Sequence, residues 1–565
     1  MKKMYFWAAA LILLFAACSK DQVNVDDDDG IVTSLTGDAW VSVSIASKSQ
    51  GRALHDPNQQ TGTKAETNVE EVRAIFFDED EKVTEDKILS TEEAGKPGQT
   101  QGNSGKAFKV PAKSKRILII ANPADNLPAK GSFTDFATFN EALNELNVNN
   151  VSTTDKFMMT NAKGGLEPSY EYGSDKDLVL YNSAEKAQAR PLSIRVDRVV
   201  SKVRVRLEAE MIPTRAHDPN TTSPNVSDYA EIYQPEWVLN VTNKWYFPVS
   251  QRTPTWAEDN NNLYESPYDQ YELGSYRKDP NYDTQVDPTV NKSDYDKQYH
   301  YYYNAAEVAN TIPWKSANVG NEECEYCLEN TQTKTHNMWA YTTQVLFKVV
   351  FSPHGMELPN GEGLYTETDD EGGGYIVDDG ALRRGEDWIM YDGGFYTWGL
   401  LMLYIEKEME SKYLDENADM INTPIANALN AYLKAIGLTE VDIPASDGNE
   451  WTQINQVVDA FKAHKDAVKT HGAARHGSIT YYKGGVSYYP IMIKHDDTED
   501  ADNELGEFGV VRNSVYDIRI TKVNNPGYPT IPDPNPGIPD ESEAVNLSVK
   551  IDINPWTWYS QSLEL

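Results

Sequence analysis

The sequence predicts a mainly β protein made of two β-sandwich domains with short helices. Three observations carry that prediction. Short stretches with apolar residues at every second position recur along all 565 residues, which is the period of a half-buried strand. Aromatics that favour strands are plentiful, with 33 Tyr and 12 Trp,. Helical spacing is confined to a few stretches, and many short strands with few helices pack as sandwiches. The chain is also too long for one core, so two or three domains are expected.

The first element is not part of the fold. "MKKMYFWAAALILLFAACSK" places Lys2 and Lys3 before an apolar run from Met4 to Ala17. The run is too short for a comfortable membrane span and fits the apolar region of an export signal. "DQVNVDDDDG" follows as a charged spacer,. "WVSVSIAS" reads as the first strand, with Val41, Val43 and Ile45 on one face,. The polar stretch "KSQGRALHDPNQQTGTKAET" shows no period and reads as a loop. "VEEVRAIFFDED", "KAFKVPA" and "KRILIIANP" read as strands, and "FTDFATFNEALNEL" has helical spacing,.

"LSIRVDRVVSKVRVRLEAEM" alternates at Ile194 and Val196, then at Val203, Val205 and Leu207. A second run of strands begins there, so a first domain over 53–193 and a second over 194–525 are expected. "PEWVLNVTNKWYFPV", "AYTTQVLFKVVFSP", "GGVSYYPIMIKH" and "VVRNSVYDIRITKVNN" continue the strand pattern. "TPIANALNAYLKAIGL" and "INQVVDAFKAHKDAVKT" interrupt it with helical spacing. No repeat of fixed period is visible. The segment 264–303 holds ten tyrosines among Asp, Asn and Pro. It suits a carbohydrate or partner surface, and it equally suits an ordered insertion packed on the second domain.

The last segment, 526–565, is the most distinctive. "PGYPTIPDPNPGIPDESE" is a proline-rich tether that should stay extended and partly stiff,. It leads into "VNLSVKIDINPWTWYSQSLEL". Here Val545, Leu547, Val549, Ile551 and Ile553 fall on one face, and Asn546, Ser548, Lys550 and Asp552 on the other. Pro555 ends the alternation, and Trp556 and Trp558 follow as aromatic anchors,. An unpaired strand of this kind is an aggregation hazard. Either it folds back on its own domain or another molecule takes it, and the long tether argues against the first, because neighbours within one domain usually need only short loops.

Chemistry beyond assembly is thinly represented. Asp plus Glu number 87 against 51 Lys plus Arg, a net charge of −36, which repels phosphate and argues against nucleic acid. No G-x-S-x-G, H-E-x-x-H or G-x-x-x-x-G-K-[ST] motif occurs, so no catalytic residue is assigned,. His471 and His476 in "THGAARHG" are five apart and do not share a helix face,. "TDDEGGGYIVDDG" is rich in carboxylates, without EF-hand spacing,. Cys324 and Cys327 form a lone C-x-x-C with no second ligand pair nearby, which favours a structural reading over a metal or redox one,. No metal and no cofactor are expected.

Taken together, the chain resembles the Bacteroidales fimbrillins, nearest the shaft (major structural) subunit of the minor, short fimbrium. The "FAAC" ending of the signal resembles a bacterial lipoprotein signal, and the blocks that carry the fimbrillin resemblance are "VSVSIASKSQGRALHDPN", "CLENTQTKTHNMWAYTTQVLFKVVFSP", "GVVRNSVYDIRITKV", the Pro/Asp tether and the closing strand. Segment 264–303 has no counterpart in that resemblance. The resemblance implies two transthyretin-like sandwiches plus a Pro-tethered C-terminal donor strand, and no enzymatic activity. It implies a lipoprotein signal over 1–18, with Cys18 lipidated (palmitate), and a propeptide over 19–52 that holds the guard strand Val41, Val43 and Ile45. An Arg-specific outer protease would cut between Arg52 and Ala53. The donor strand of the next subunit, through Val545, Leu547, Val549, Ile551, Ile553, Trp556 and Trp558, would then fill the opened groove. The implied partners are the chain itself in a head-to-tail homopolymer, fimbrial anchor and tip subunits, and a host or bacterial surface receptor. The implied location is the outer membrane, then a cell-surface fimbrium serving adhesion and colonisation. Two other readings stand beside this one. A fimbrial tip or accessory adhesin would use the tyrosine-rich insertion. A surface-anchored glycan-binding lipoprotein would keep its lipid and an uncut N-terminus.

Overall fold

A computed structural model describes residues 30–32, 35–46, 60–95, 105–144, 148–161, 178–208, 230–252, 276–303, 311–353, 356–357, 364–367, 375–376, 387–391, 394–396, 431, 434, 474–476, 479–495, 506–538 and 547–557. Mainly β structure is what these residues adopt. Apart from Ala431 and Lys434, the helical stretches expected after residue 422 lie outside them, as do His471 and most of the carboxylate-rich glycine segment.

The N-terminal half supplies β1 (Asp38–Val41), β2 (Val43–Ala46), β3 (Gln60–Thr61), α1 (Lys64–Thr67), β4 (Val72–Phe77), β5 (Val83–Ile88), β6 (Phe108–Pro111), β7 (Arg116–Ala121), α2 (Phe136–Phe139), β8 (Met159–Asn161), α3 (Ala184–Ala189) and β9 (Leu192–Arg198). One six-stranded sheet runs β2-β9-β8-β7-β4-β5, and β1 pairs with β6 in a second layer. Both layers feed one apolar core, with Val41, Val43, Ile75, Phe76, Phe108, Leu118, Ile120 and Ile194 buried in it. β4 and β7 read as near-continuous apolar runs because the core wraps their faces, and every residue of β4 is buried,.

The C-terminal half supplies β10 (Val200–Leu207), β11 (Ala230–Asn240), β12 (Lys315–Ser316), β13 (Cys324–Leu328), β14 (Gln344–Pro353), β15 (Val486–Met492), β16 (Ser514–Val523) and β17 (Leu547–Thr557). One sheet runs β13-β10-β16-β17-β3, the other β12-β11-β14-β15. Val203, Val205, Tyr516, Ile518 and Ile520 of the first face Trp237, Val345, Phe347, Val349 and Ile491 of the second. This is a β-sandwich in which each inner face is one half of the alternation.

Three details differ from the sequence reading for physical reasons. "WVSVSIAS" is not one strand: it changes sheets at Ser42, between β1 and β2. The helical spacing of 133–146 yields one turn only. Asp135 caps that turn by accepting from the Thr138 N–H (2.9 Å), but Asn140 ends it by exchanging two side-chain bonds with the Val249 backbone (2.9 and 2.7 Å). Leu143–Asn144 then pairs with Trp245–Tyr246 as strand. The expected division at 193/194 falls inside β9; the change from one domain's sheet to the other's comes at Val199, between β9 and β10.

The described part of the tyrosine-rich segment, 276–303, is packed on the second domain. Tyr295, Tyr299 and Tyr341 cluster with Val241 and Ala340. Tyr276 donates to the Phe508 carbonyl (2.9 Å) and Tyr295 to the Ala340 carbonyl (2.5 Å). Cys324 and Cys327 are free thiols on β13. Three residues apart on a strand, they face opposite sides. Burial pushes the Cys327 thiol up to about 12, so it stays protonated and unreactive near neutral pH,. Among the described residues no group of His, Cys, Asp and Glu is arranged to hold a metal, and no helix is long and apolar enough to cross a membrane.

Candidate functional site

The two ends of the chain meet the fold in different ways. Segment 38–46 is threaded between neighbours on both of its edges. β1 is antiparallel to β6, with Asp38 opposite Pro111 and Val41 opposite Phe108. On its other edge Trp40 exchanges backbone bonds with Tyr181 (2.7 and 2.8 Å). After the sheet change β2 runs parallel to β9, with Val43 beside Leu192 and Ile45 beside Ile194. The Gly105 N–H donates to the Val43 carbonyl (3.0 Å) and the Leu192 N–H to the Ser42 carbonyl (2.8 Å). Ser42 turns the corner: its hydroxyl donates to the Gly105 carbonyl (2.7 Å), which keeps a buried polar group satisfied,.

The side chains are as enclosed as the backbone. Relative exposure is 0% for Ala39, 1% for Val41, 0% for Val43 and 4% for Ile45. Removing this segment would open a strand-shaped slot. Its floor would be the core, and its walls would be β6, Tyr181 and β9, each with unpaired backbone groups. Such a slot accepts a β-strand and little else, because backbone pairing sets register and alternate pockets take side chains.

The C-terminal strand lies in its own domain, against the expectation drawn from the tether's length: the tether packs along the opposite sheet and so spans the distance back. β17 is antiparallel to β16 from Val523↔Leu547 to Ser514↔Pro555, with a bulge near Thr521 that preserves the faces,. Apolar meets apolar at Ile520↔Val549, Ile518↔Ile551 and Tyr516↔Ile553, and polar meets polar at Arg519↔Lys550 and Asp517↔Asp552. Packing is shallow: Leu547 is buried, but Val549 and Ile551 are half-buried at the margin of the core. The tether between β16 and β17 is not free where it is described. Tyr528 exchanges two backbone bonds with Tyr488 (2.8 Å each), Ile531 packs with Val238, Ile312 and Leu346, and Ile538 accepts from the Trp339 N–H (3.1 Å). The chain thus leaves β16, runs along the outside of the opposite sheet, and returns to pair beside its starting strand.

Charges around β17 are arranged in chains. Asp517 accepts from Arg204 (3.0 Å) and Arg206 (2.7 Å). Arg519 pairs with Asp552 of β17 and with Glu208 (3.5 Å) of the body. At the junction of the two domains, Glu66 of α1 is buried against Lys202 (2.8 Å) and the Tyr326 hydroxyl (2.8 Å). Burial pushes the Glu66 carboxyl up, and the hydrogen bond and charge of Lys202, with the bonds from Thr63 and Tyr326, together more than reverse it, so it sits below its ordinary 4.5,. Arg198, fully buried, donates to the Glu66 carbonyl (3.0 Å) and to Asn513 (3.2 Å), and burial lowers its guanidinium to about 10.

Of the residues singled out from sequence, Val41, Val43 and Ile45 are brought into one core with β6 and β9. Leu547, Val549, Ile551, Ile553 and Trp556 lie along β17. Cys18, Arg52, Ala53, Val545 and Trp558 lie outside the described residues. Sequence reasoning read β6 and β9 as strands without placing them beside segment 38–46, and it missed the Tyr181 edge and the short strand β3. Leu178, Leu180 and Tyr181, all buried, carry a readable signal in "LVLYN"; β3, two residues long, carries none.

Two family models match the chain. Residues 39–194 match the major fimbrial subunit protein (FimA), and residues 480–562 match the major fimbrial subunit protein type IV, fimbrillin, C-terminal. The first match begins within β1 and ends within β9; the second takes in β15, β16, the tether and β17. No curated protein matches the chain. Similar solved structures include one described as a cell adhesion protein from Parabacteroides distasonis, at 12% identity, covering 93% of this chain and 100% of that one with TM-score 0.38. Another is a fimbrilin (FimA) from Porphyromonas gingivalis W83, at 13% identity, 93% and 99% coverage and TM-score 0.35. A third is the tip fimbrial protein Mfa3 from Porphyromonas gingivalis with C-terminal truncation, at 12% identity, 92% and 100% coverage and TM-score 0.29. Both matched segments are thus similar to major fimbrial subunit proteins.

Proposed function

We propose that the chain is a structural subunit of a surface fimbria, of the shaft type, that polymerises by protease-triggered donor-strand exchange and so supports adhesion and colonisation. One observation carries the proposal. Segment 38–46 fills a core position as deeply as any strand of its domain, yet it enters the fold from the N-terminal side, upstream of Arg52. In this reading the precursor is exported, lipidated at Cys18 and held at the outer membrane. An Arg-specific protease cuts between Arg52 and Ala53, and the lipid and the guard strand leave together. The C-terminal strand of another copy enters the slot, and the chain grows head to tail, with anchor and tip subunits at its ends.

The physics supports the exchange. Both strands alternate with β-branched and aliphatic side chains, so one fits where the other was. Burying five such side chains contributes on the order of 8–15 kcal/mol before entropy losses, and association offsets part of that. The guard strand also explains why the precursor does not polymerise early: its slot is filled.

The test is the N-terminal sequence and intact mass of protein shed from the cell surface. A start at Ala53 is expected; a start at acylated Cys18 overturns the reading. Arg52→Ala should leave lipidated monomers, and deletion of residues 545–565 should leave processed monomers. Polymer ladders from either variant would rule out the joint.

A further inference from the structure

β17 has two neighbours, and the second connects the two ends of the chain. β16 pairs with it along most of its length. On the opposite edge β3 runs parallel to its last residues, Gln60 beside Trp556 and Thr61 beside Thr557. β3 is held to the body on its far side. The Gln60 side-chain oxygen accepts from Arg204 (3.2 Å). Thr63 opens α1 with a reciprocal capping box to Glu66, and Glu66 is fixed to Lys202. On its near side, β3 is joined through residues 47–59 to the guard strand β2.

The rest of β17's surroundings are suited to letting it go. If it leaves, Asp517 keeps Arg204 and Arg206, and Arg519 keeps Glu208, so no buried charge is stranded,. Val549 and Ile551 are only half-buried where they lie. Retention therefore rests heavily on backbone pairing, and β3 closes the outer edge at the strand's end.

We propose that Gln60–Thr61 is a latch on the C-terminal strand, and that cutting the chain upstream of it releases donor strand and acceptor slot in one event. This rests on the proposed cut between Arg52 and Ala53. In the uncut chain, β3 is tethered at both ends, by the guard strand before it and by α1 after it. After the cut it is a two-residue parallel strand near a new terminus, and such ends fray. Parallel pairs are also the weaker kind. With β3 frayed, the whole outer edge of β17 is bare, and a bare edge is a template for pairing with another chain.

Hydrogen exchange of the full chain tests this, read by mass spectrometry on peptides covering 547–557 and 38–46. Thr61→Pro removes a backbone donor without any cut. In that uncut variant the amides of 547–557 should exchange about tenfold faster or more, the equivalent of one or two net hydrogen bonds, while 38–46 stay as slow as in the wild type. Wild-type protein cut by an Arg-specific protease should show the same acceleration in 547–557. Unchanged exchange there in both samples overturns the latch. Should Thr61→Pro fail to fold, Gln60→Cys/Trp556→Cys serves instead, since neighbouring strands place such residues within disulfide reach. Oxidised and cut, it should keep 547–557 slow, and reduction should free it; equal exchange in both states overturns the latch. Polymer size is read separately. A freed tail without polymer overturns donor-strand exchange and leaves the latch standing. Polymer from cut protein whose unincorporated subunits keep slow exchange in 547–557 overturns the latch and leaves donor-strand exchange standing.

Discussion

The strands at 38–46 and 547–557 carry the same alternating apolar chemistry and are used in opposite ways. The first is enclosed on both edges and both ends of its apolar face, with Val43 fully buried. The second is paired along one edge, closed on the other only at its tip, and leaves Val549 and Ile551 half-buried. The same kind of strand is therefore a core element in one place and a lightly held one in the other. Moving a half-buried Val or Ile to a fully buried site gains roughly 1 kcal/mol per side chain. A C-terminal strand that replaced a guard strand would move in the favourable direction.

The largest effect should come from a charge at the enclosed strand. Val43→Asp buries an unpaired carboxylate and should destabilise the N-terminal domain of the uncut protein by about 3 kcal/mol or more. Denaturant melts of the uncut variant read this directly. Wild-type stability in that melt would mean that segment 38–46 is not the core strand described here.

The next pair sets the two strands side by side. Ile45→Ala should cost the uncut chain about 2–5 kcal/mol, as for a buried Ile. Ile551→Ala should cost about 1 kcal/mol, because less surface is buried and less cavity is left. Equal losses would break the comparison; a larger loss for Ile551→Ala in assembled polymer than in the monomer would sharpen it. Ser42→Ala is a smaller change. It removes the hydroxyl that donates to Gly105 at the sheet change and leaves that carbonyl short of a partner, at a loss of about 1 kcal/mol,. Urea midpoints at constant slope would show it.

Much of this comparison could be read before the fold was seen, and the reason is periodicity. Val41, Val43 and Ile45, and the series from Leu547 to Ile553, declare a buried face by spacing alone. Alternation says nothing about which strand lies alongside, so neither β6 and β9 around segment 38–46 nor β16 beside the tail was legible. The sheet change at Ser42 was hidden because the alternation continues through it. The helix over 133–146 failed because Asn140 satisfies the backbone of Val249 across the domain junction, a long-range bond that local spacing cannot encode. Gln60–Thr61 was hidden by its brevity: two residues have no period.

The smallest predicted effect is one of pH, and it runs in opposite directions in two regions. Glu66 anchors α1, immediately after the strand that closes the tail. Its folded value lies below its ordinary 4.5, because Lys202, Thr63 and Tyr326 together outweigh burial. Its contribution is therefore complete above about 4.5 and is lost as pH falls below that through the folded value. Asp279 is the reverse. Burial raises it to about 7 from an ordinary 3.8, despite bonds from Thr331 and Asn281. Its folded form holds a proton that the unfolded form has already lost, so its contribution is complete below 3.8 and is lost as pH rises through about 7. Taking the protein from pH 7 to pH 4 should speed amide exchange around 60–67 and slow it around 276–303, after correction for the intrinsic pH dependence of exchange. Glu66→Gln should flatten the first response and leave the second, and Asp279→Asn should do the converse. A uniform response of both regions to acid would mean that neither carboxyl governs its surroundings, and that α1 is held to the C-terminal sheet by packing rather than by the Glu66–Lys202 pair.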